Sequence, residues 1–325
     1  EAVQFFMQNA RRVRVTFSPQ AEAQHVARIC RLVDGIPLAL ELAATWLKVL
    51  SCAQIADEIE RSLDILTTRQ QNMPVRHRSM RAVLEQAWQL LTAPEQAVLK
   101  QLALLRGGFD QEAAQNVAGA TLLILAALVE KALLHQIAGR YQIHELLRQF
   151  ALEQLQQHPD QLAATQTRHS HYYLALLQTM AELKQLDIEF ENVRTSWRTA
   201  VTAADFAPIQ KAADAFYRYY ARRALYQEGQ HDFMILIERL ASQPTCATWQ
   251  ALLCTAQRCL GAFCYHVGDY TAATTYLQQA LQCAQMTHAQ GEQMWSLAFL
   301  GLLAGWQGRE AESDELFAQS LAISH

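Results

Sequence analysis

Residues 28–44 read Arg-Ile-Cys-Arg-Leu-Val-Asp-Gly-Ile-Pro-Leu-Ala-Leu-Glu-Leu-Ala-Ala and predict two helices separated by a sharp break. The first helix carries an apolar face at helical spacing, made of Val26, Ile29, Cys30 and Val33. Asp34-Gly35 ends that helix. Pro37 then opens a very apolar helix, because proline is well suited to the first helical position. The stretch therefore predicts helices that pack on one another.

Composition extends this helical pattern to the whole chain. The 325 residues include only 12 Gly and 7 Pro, while 51% are hydrophobic and 18% are charged. Few helix breakers and much apolar surface predict a mainly α protein. We assign residues 1–75 to a helical subdomain and residues 76–158 to a winged-helix domain. We assign residues 159–325 to a helical linker followed by an α-solenoid of repeated helix pairs.

Charge and hydropathy exclude several functional classes. Residues 1–158 hold 16 Lys and Arg against 15 Asp and Glu, and residues 159–325 hold 11 against 16. Neither half has the basic balance of a nucleic-acid-binding surface. No apolar run reaches the ~18 residues that span a membrane, and no signal peptide is visible. We expect a cytoplasmic protein, and an opening in mid-helix without an initiating Met is typical of a fragment.

The seven cysteines are odd in number and include no C-x-x-C pair. Five of them, from Cys246 to Cys283, fall in helical segments among apolar neighbours. Free cysteines are often buried as small apolar side chains. We therefore predict reduced core thiols, and neither a disulfide scaffold nor a zinc site is expected.

The pattern of predicted elements in residues 79–158 differs from that of the preceding helices. A helix from Ser79 to Leu91 is followed by Thr92-Ala-Pro-Glu95, a capping box that opens the next helix. Asp110 caps a short helix, and another helix is predicted over residues 122–134. Segments 135–137 and 141–143 flank a turn and predict a β-hairpin, with a last helix from His144. Helices, a two-stranded wing and a further helix make a winged-helix arrangement.

Two segments upstream complete this organisation. Ser18-Pro19 predicts a helix start, with a capping Ser before Pro at the first helical position. The polar segment 67–78 contains Pro74 and predicts a linker. Arg76, Arg78 and Arg81 form a compact basic cluster there, which we interpret as ordinary solvation of that linker.

An internal repeat with a period of 40 residues appears near the end of the chain. The positions Leu260-Gly261, Gly268 and Ala280-Leu281 recur as Leu300-Gly301, Gly308 and Ser320-Leu321. In each unit the glycines seven apart mark close helix packing and the turn between helices. Ala273, Ala280, Ser313 and Ser320 are small enough to let two helices approach. Gly229, 39 residues before Gly268, marks a degenerate earlier unit, and such stacks form solenoids with a concave binding face.

Several of these segments resemble the STAND NTPase superfamily, in particular bacterial regulators with an NB-ARC-like ATPase followed by tetratricopeptide-like repeats. Residues 28–44 are similar to the family's G-x-P segment, and residues 77–91 to its entry into the winged helix. Residues 141–152 are similar to the helix that carries its M-H-D motif. Segments 107–109 and 191–194 are also typical of the family. Together these segments cover about half of the chain, in the family's order.

The resemblance implies a nucleotide switch. STAND proteins hold ADP in a closed state, and their ATPase core carries a phosphate loop and a magnesium-binding acidic strand. The helical subdomain and the winged helix close over the nucleotide. Exchange for ATP, promoted by a ligand on the repeats, opens the protein and permits oligomerisation. Transferred to this sequence, Pro37 packs on the adenine side and His144 reaches the β-phosphate of ADP, although Ile143 replaces the family's Met and Glu145 its Asp.

Each of these residues also has a simpler explanation. Pro37 suits the first position of any helix, and His144 suits a helix start satisfied by local hydrogen bonds. His144-Glu145 begins like a zinc-protease motif, but Arg148 stands where the second His belongs, so we expect no metal there. Neither G-x-x-x-x-G-K-[S/T] nor G-x-G-x-x-G occurs. We therefore expect no catalysis by this fragment, and ADP or ATP with Mg only in the full-length protein.

The predicted helix at 122–134 is the one that would enter the major groove if the winged helix bound DNA. It holds one Lys and no Arg, Asn or Gln, whereas base readout needs such side chains. An apolar helix favours a protein neighbour. We therefore interpret this domain as an intramolecular packing module that works with the chain's own N-terminal nucleotide-binding core.

An aromatic cluster with arginines lies in the third region. Its candidate partner-binding residues are Tyr217, Tyr220, Arg222, Arg223 and Tyr226. Aromatic and Arg side chains concentrate at binding hot spots. The same residues are equally typical of the aromatic core of a helix pair with Arg stems lying along it, and we favour that interpretation.

Three functional hypotheses follow. The first is a nucleotide-gated signalling or transcription-regulating switch, whose repeats bind a small-molecule inducer or a protein partner. The second is a nucleotide-independent interaction scaffold. The third is a DNA-binding regulator that acts through this winged helix. We favour the first.

Overall fold

A computed structural model describes residues 1–14, 17, 22–67, 79–180, 182–243 and 247–323. The mainly α fold class is confirmed: the described part holds seventeen α-helices and one two-stranded sheet. Several sequence predictions lie outside the described residues, namely the helix start at Ser18-Pro19, the linker over 68–78 with Pro74, Arg76 and Arg78, and Cys246.

The chain forms two compact units, Glu1–His169 and Ser170–His325. The division falls inside a helix, Pro159–Thr179, rather than before it. The first turns of that helix belong to the first unit because Arg168 holds them there. Its Nε donates to the Val117 carbonyl at 2.8 Å and its Nη2 to Gln101 Oε1 at 2.6 Å. The division of residues 1–158 into a helical subdomain and a winged helix stays a prediction.

Nine helices, two strands and the start of α10 make up the described part of the first unit. They are α1 Ala2–Val13, α2 Ala23–Leu32, α3 Pro37–Thr45, α4 Cys52–Arg61, α5 Met80–Gln89, α6 Ala93–Leu102, α7 Gln111–Ala118, α8 Leu122–Glu130, β1 Leu134–Ile137, β2 Arg140–Ile143, α9 Glu145–Gln156 and α10 Pro159–Thr179. In the first four helices α1 packs on α3 and α2 on α4. Their fully buried side chains include Phe6, Ile29, Leu40 and Leu42.

The predicted hairpin is present, and a third segment joins it. β1 and β2 pair antiparallel from Leu134–Ile143 to Ile137–Arg140. Phe109 exchanges two backbone hydrogen bonds with Tyr141, of 2.9 and 2.7 Å. Gly108 precedes that contact with a φ of 89°, and a Cβ there would lie 3.1 Å from the Tyr141 carbonyl oxygen. A glycine is therefore required where the chain meets the hairpin.

The helix predicted over residues 122–134 is shorter than expected. α8 ends at Glu130 because Ala132 adopts a left-handed conformation, with a φ of 56°, and Leu134 already belongs to β1. Among the described residues no single helix is long and apolar enough to cross a bilayer. α7 and α8 reach the length and hydropathy of a membrane span only when they are taken together, and the chain bends by 108° between them.

Arg81 joins the first four helices to the later ones, so its assignment to a solvated linker is wrong. Its Nε lies 2.6 Å from Asp64 Oδ1, in the short 3-10 turn after α4, and its Nη1 lies 2.6 Å from Glu153 Oε2 on α9. A backbone bond from Met80 to the Leu66 carbonyl, of 3.0 Å, lies beside it. These partners fix where α5 begins.

The second unit is a series of helix pairs. After the end of α10 its helices are α11 Leu183–Ala203, α12 Phe206–Arg222, α13 Tyr226–Ala241, α14 Ala247–Val267, α15 Tyr270–Met286, α16 Gln290–Trp306 and α17 Glu310–Ile323. α14 pairs with α15 and α16 with α17, and α14 also contacts α12 and α16. This arrangement of pairs is the predicted solenoid.

The glycines of the period-40 repeat have the two predicted roles. A Cβ on Gly261 would lie 2.7 Å from Leu277 Cγ, and one on Gly301 would lie 3.2 Å from the Phe317 ring, so these positions bring paired helices together. Gly268 and Gly308 form the turns, with φ of 86° and 72°. Of the small residues, Ser313 donates its Oγ hydrogen to the Gly301 carbonyl at 2.9 Å.

The role predicted for Gly229 in an earlier repeat needs correction. Gly229 lies inside α13 and faces the Phe263 ring, where an added Cβ would come within 2.5 Å. The turn between α12 and α13 is made instead by Ala224, with a φ of 53°. The α12–α13 pair therefore belongs to the series but lacks the turn glycine.

The expectation that all cysteines are reduced is wrong for one pair. Cys254 on α14 and Cys283 on α15 form a disulfide, with Cα atoms 5.6 Å apart, because the two helices pack with these positions facing each other. The other four described cysteines are free and buried: Cys30, Cys52, Cys259 and Cys264. Burial raises the pKa of Cys52 and of Cys259 to about 12, which keeps both as unreactive thiols.

The close helix contact at Gly261 gives a stability prediction. We expect Gly261→Ala to destabilise the second unit by about 1–3 kcal/mol, because the methyl group forces Leu277 and its backbone away. The matched control is Gly291→Ala on α16, where nothing lies within 4 Å of the added Cβ. That change gains up to about 1 kcal/mol from helix propensity. Urea unfolding midpoints measure both, and equal effects would contradict the packing role.

Candidate functional site

A rigid left-handed turn connects α2 to α3. Asp34 and Gly35 both have positive φ, of 48° and 69°. The Gly35 N–H donates to the Cys30 carbonyl at 2.9 Å and the Ile36 N–H to the Val33 carbonyl at 3.0 Å, which closes the end of α2. The turn leaves Pro37 exposed at the first position of α3, with the Asp34 side chain 63% exposed.

His144 is the N-cap of α9. Its Nδ1 accepts a hydrogen bond from the Leu146 N–H at 3.3 Å. The side chain is only 15% exposed. Because Nδ1 is an acceptor, a neutral ring carries its proton on Nε2. Nε2 is buried without a hydrogen-bond partner, and Asp34 Oδ2 lies 3.5 Å away, which is too long for a normal hydrogen bond.

The fold thus places two of the sequence motifs side by side. Asp34 and His144 are 110 residues apart in the chain, yet their side chains meet at the turn that positions Pro37. The local explanation for each residue is also correct, since Pro37 opens α3 and His144 caps α9. Neither local role explains why the side chains of Asp34 and His144 lie close together.

Burial dominates the protonation of His144. It lowers the pKa of the imidazole, and His135 on β1 lowers it further, while the carboxylates of Asp34 and Glu145 act in the opposite direction. The net direction is downward. The ring is therefore a neutral hydrogen-bond donor at Nε2 around neutral pH.

Glu145, which follows His144, has a local partner. Its carboxylate accepts from Arg148 Nε at 2.8 Å and Nη2 at 2.7 Å, and Arg148 Nη1 donates to the Ala103 carbonyl at 3.0 Å. Burial alone would raise the pKa of Glu145, but the bonds from Arg148 and Gln149 and the charge of Arg106 lower it. A cavity of about 380 Å³ opens here, lined by Arg106, Gly107, Gly108, Gln142, Glu145 and Arg148 among others.

The described residues contain no group of three or more His, Cys, Asp or Glu side chains able to hold a metal ion. Arg148 occupies the position that a second histidine ligand would need, and it pairs with Glu145 instead.

α8 presents an apolar surface where a DNA-reading helix would present polar side chains. Leu122 and Leu123 are 56% and 83% exposed, and Leu125 and Leu128 face the core. Base edges are read by hydrogen-bonding side chains. The exposed face of α8 therefore has the chemistry of a protein contact.

The aromatic cluster of the second unit is mainly a core, as favoured from the sequence. Tyr220 is fully buried, so it is not available to a partner, and its hydroxyl donates to Asp232 Oδ2 at 2.5 Å. The buried Asp232 carboxylate also pairs with Arg194 at 3.3 Å and with Arg198 at 2.9 Å. A buried carboxylate needs such partners, and here they join α11, α12 and α13.

Two further candidates are occupied by intramolecular contacts. Tyr217 is half-buried beneath the guanidinium of Arg258, 5.7 Å from its ring centroid, and burial raises the pKa of Tyr217 to about 12. Arg223 Nε donates to Asp187 Oδ1 at 2.8 Å, and their ion pair connects α12 to α11. Both residues tie helices together.

The remaining two candidates lie nearer the surface. Arg222 is exposed, and Tyr226 is half-buried, with its ring stacked on His266 at 4.6 Å and 12°. Of the five candidates proposed from the sequence, only Tyr220 is fully buried; Arg222 and Arg223 are exposed, and Tyr217 and Tyr226 are half-buried.

The second unit also has an exposed apolar surface that was not predicted from the sequence. We name it the α16 apolar face: Trp295, Phe299, Leu302 and Trp306. Trp295, Leu302 and Trp306 are 52%, 40% and 71% exposed, and Phe299 is half-buried. Their spacing of four, three and four residues puts them on one side of the helix. That spacing is visible in the sequence and would have identified the face.

The repeat shows what this face is built to contact. The equivalent positions on α14, 40 residues earlier, include Thr255 and His266. Thr255 donates to Glu292 Oε1 of α16 at 2.7 Å, and the His266 ring lies 6.4 Å from the Phe299 ring of α16. On α14 this side is therefore covered by the next helix pair. On α16 the same side is more apolar, and Trp295, Leu302 and Trp306 are exposed within the part of the chain that the structure describes.

Comparison with known proteins identifies the repeats and some distant relatives. Residues 252–324 match the tetratricopeptide repeat family. Proteins named as HTH-type transcriptional regulators in Mycobacterium bovis and Mycobacterium tuberculosis are 30% identical over 259 residues, which is 73% of this chain and 29% of theirs. An uncharacterised protein of Mycobacterium bovis is 35% identical over 168 residues, 48% of this chain and 43% of that protein. The chain thus spans less than a third of the length of the regulators it matches.

Among solved structures, the chain is similar to a Signal Transduction ATPase with Numerous Domains (STAND) protein with a tetratricopeptide repeat sensor from Pyrococcus horikoshii. The superposition covers 99% of this chain and 59% of that one, with 14% identity and a TM-score of 0.28. At that TM-score the similarity carries no argument about this chain.

The lowered pKa of His144 gives a pH prediction for the first unit. Above its ordinary pKa of about 6.5 the ring is neutral in both the folded and unfolded states; as the pH falls further, the unfolded state binds the proton first. We expect α9 to lose protection as the pH falls below about 6.5, the ordinary pKa of histidine, and His144→Gln to remove part of that loss. Hydrogen exchange of α9 amides measures this, with the exposed His158→Gln as control. An unchanged pH dependence in His144→Gln would contradict it.

Proposed function

We propose that this chain is the regulatory part of a cytoplasmic nucleotide-switched signalling protein of the STAND type. In this proposal the first unit closes over ADP bound to an N-terminal nucleotide-binding core with Mg. The second unit binds a protein partner through its repeats, and that binding favours exchange for ATP. The relatives named as transcriptional regulators support a role in regulation, with DNA contact assigned to other segments because α8 lacks base-reading side chains.

The observation that carries the nucleotide role is the buried N–H at Nε2 of His144 beside the turn that holds Pro37. An unsatisfied buried donor costs about 1–3 kcal/mol. A phosphoryl oxygen at hydrogen-bond distance would satisfy it. His144 also lies at the start of α9, where free backbone N–H groups and the helix dipole favour an anion.

The α16 apolar face supports the partner role. Large exposed apolar patches mark interaction sites, and the equivalent side of α14 is covered by a helix. Residues 270–323 hold five Asp and Glu against one Arg. A partner with complementary chemistry is therefore an amphipathic helix with an apolar face flanked by Lys or Arg.

A nucleotide-independent scaffold is the competing function, and nucleotide retention separates the two. We expect the longer gene product, which includes the sequence encoded upstream of Glu1, to copurify with ADP. His144→Gln should reduce the retained ADP about tenfold, because one charge-assisted hydrogen bond contributes roughly 1.5–3 kcal/mol. Bound nucleotide is measured by chromatography after denaturation. His158→Gln, on an exposed histidine, should leave it unchanged. If the product binds no nucleotide and no phosphate loop is encoded upstream, only the nucleotide-independent scaffold function remains.

The partner surface is tested separately on the chain described here. Two designed amphipathic peptides share one apolar face but carry either Lys or Glu flanks. We expect the Lys peptide to bind more tightly, and Trp306→Ala to weaken its binding about tenfold, as expected when an aromatic hot-spot side chain is removed. Calorimetry measures both affinities. Met286→Ala, on an exposed residue of α15 outside the α16 apolar face, is the control. Equal binding of both peptides, or no effect of Trp306→Ala, would rule out this surface.

A further inference from the structure

The Asp34 carboxylate lies beside the buried Nε2 of His144. This carboxylate lies 3.5 Å from Nε2 without forming a hydrogen bond. It is held there by the backbone, because Asp34 adopts a left-handed conformation and its N–H donates to the Arg31 carbonyl at 3.1 Å. The side chain is 63% exposed, so it can turn towards solvent without unfolding the turn.

The other charged groups facing His144 do not have this freedom. Glu145 is bound to Arg148 through two hydrogen bonds, and the remaining neighbour, His135 on β1, is a base rather than an acid. Asp34 is therefore the acid whose position relative to Nε2 can change most easily. A phosphoryl group that bonds Nε2 would meet this carboxylate at short range, and two like charges a few ångströms apart repel.

We infer that the Asp34 carboxylate competes with phosphoryl oxygens for Nε2 of His144. This rests on the proposed nucleotide contact and adds its regulation. In the free protein Asp34 faces the N–H, and a phosphate displaces it towards solvent. Asp34 thereby weakens phosphate binding and makes the site release its ligand more readily. A neutral residue at this position holds phosphate more tightly.

Asp34→Asn removes the charge and keeps the turn, because Asn adopts the left-handed conformation as readily as Asp. The experiment uses the whole chain, inorganic pyrophosphate as the probe, and NMR signals of the His144 imidazole, assigned by their loss in His144→Gln. We expect Asp34→Asn to bind pyrophosphate about fivefold more tightly than the native chain and to lower the pKa of His144 further. Glu85→Gln removes the same charge from an exposed site on α5 and should change neither value.

The outcomes separate the inference from the proposed function. If pyrophosphate shifts the His144 signals equally in the native chain and Asp34→Asn, the phosphate contact stands and the competition is overturned. If Glu85→Gln tightens binding as much as Asp34→Asn, net charge explains the effect and the competition is again overturned. If pyrophosphate leaves the His144 signals unchanged in every variant, the phosphate contact itself fails, and the inference fails with it.

Discussion

The second unit depends on close packing of paired helices at positions without a side chain. Gly261 and Gly301 allow Leu277 and Phe317 to fill the space that a Cβ would take. Once α14 and α15 pack this closely, the sides of α14 that face the preceding and following pairs are fixed. The same constraint sets α16 forty residues later. It therefore places the α16 apolar face on the side of its helix that corresponds to the side of α14 covered by α16.

In the first unit the elements before and after residues 68–78 meet through charged and polar groups as well as apolar ones. Arg81 contacts Asp64 and Glu153, and His144 contacts Asp34. Partly exposed ion pairs contribute little net stability, with a median of about 0–1 kcal/mol. Such pairs determine how the two groups of elements are oriented, but they add little free energy that opposes their separation. Such a junction has the property that the proposed switch needs, because its halves can part without leaving several charges buried and unpaired.

The sequence predicted what depends on neighbouring residues. The Asp110 cap, the hairpin turn and the repeat glycines follow from short-range rules, and the structure contains them. What depends on three-dimensional proximity was not predictable in this way. The Cys254–Cys283 disulfide follows from how α14 meets α15, and the Asp34–His144 contact joins residues 110 apart. The burial of Tyr220 depends on a carboxylate supplied by another helix.

Two energetic costs coincide beside Pro37. His144 keeps a buried N–H without a partner, at about 1–3 kcal/mol, and Asp34 holds a left-handed conformation that costs an L-residue roughly 1–2 kcal/mol. The second cost accompanies the turn that closes α2; the first is not needed to cap a helix, since Asp110 caps α7 with a bond of 2.7 Å. Such costs persist where the surrounding structure enforces them, and they concentrate at binding sites. Because both face the same few ångströms of space, one ligand atom there would relieve the first cost and would have to displace the carboxylate that the second holds in place.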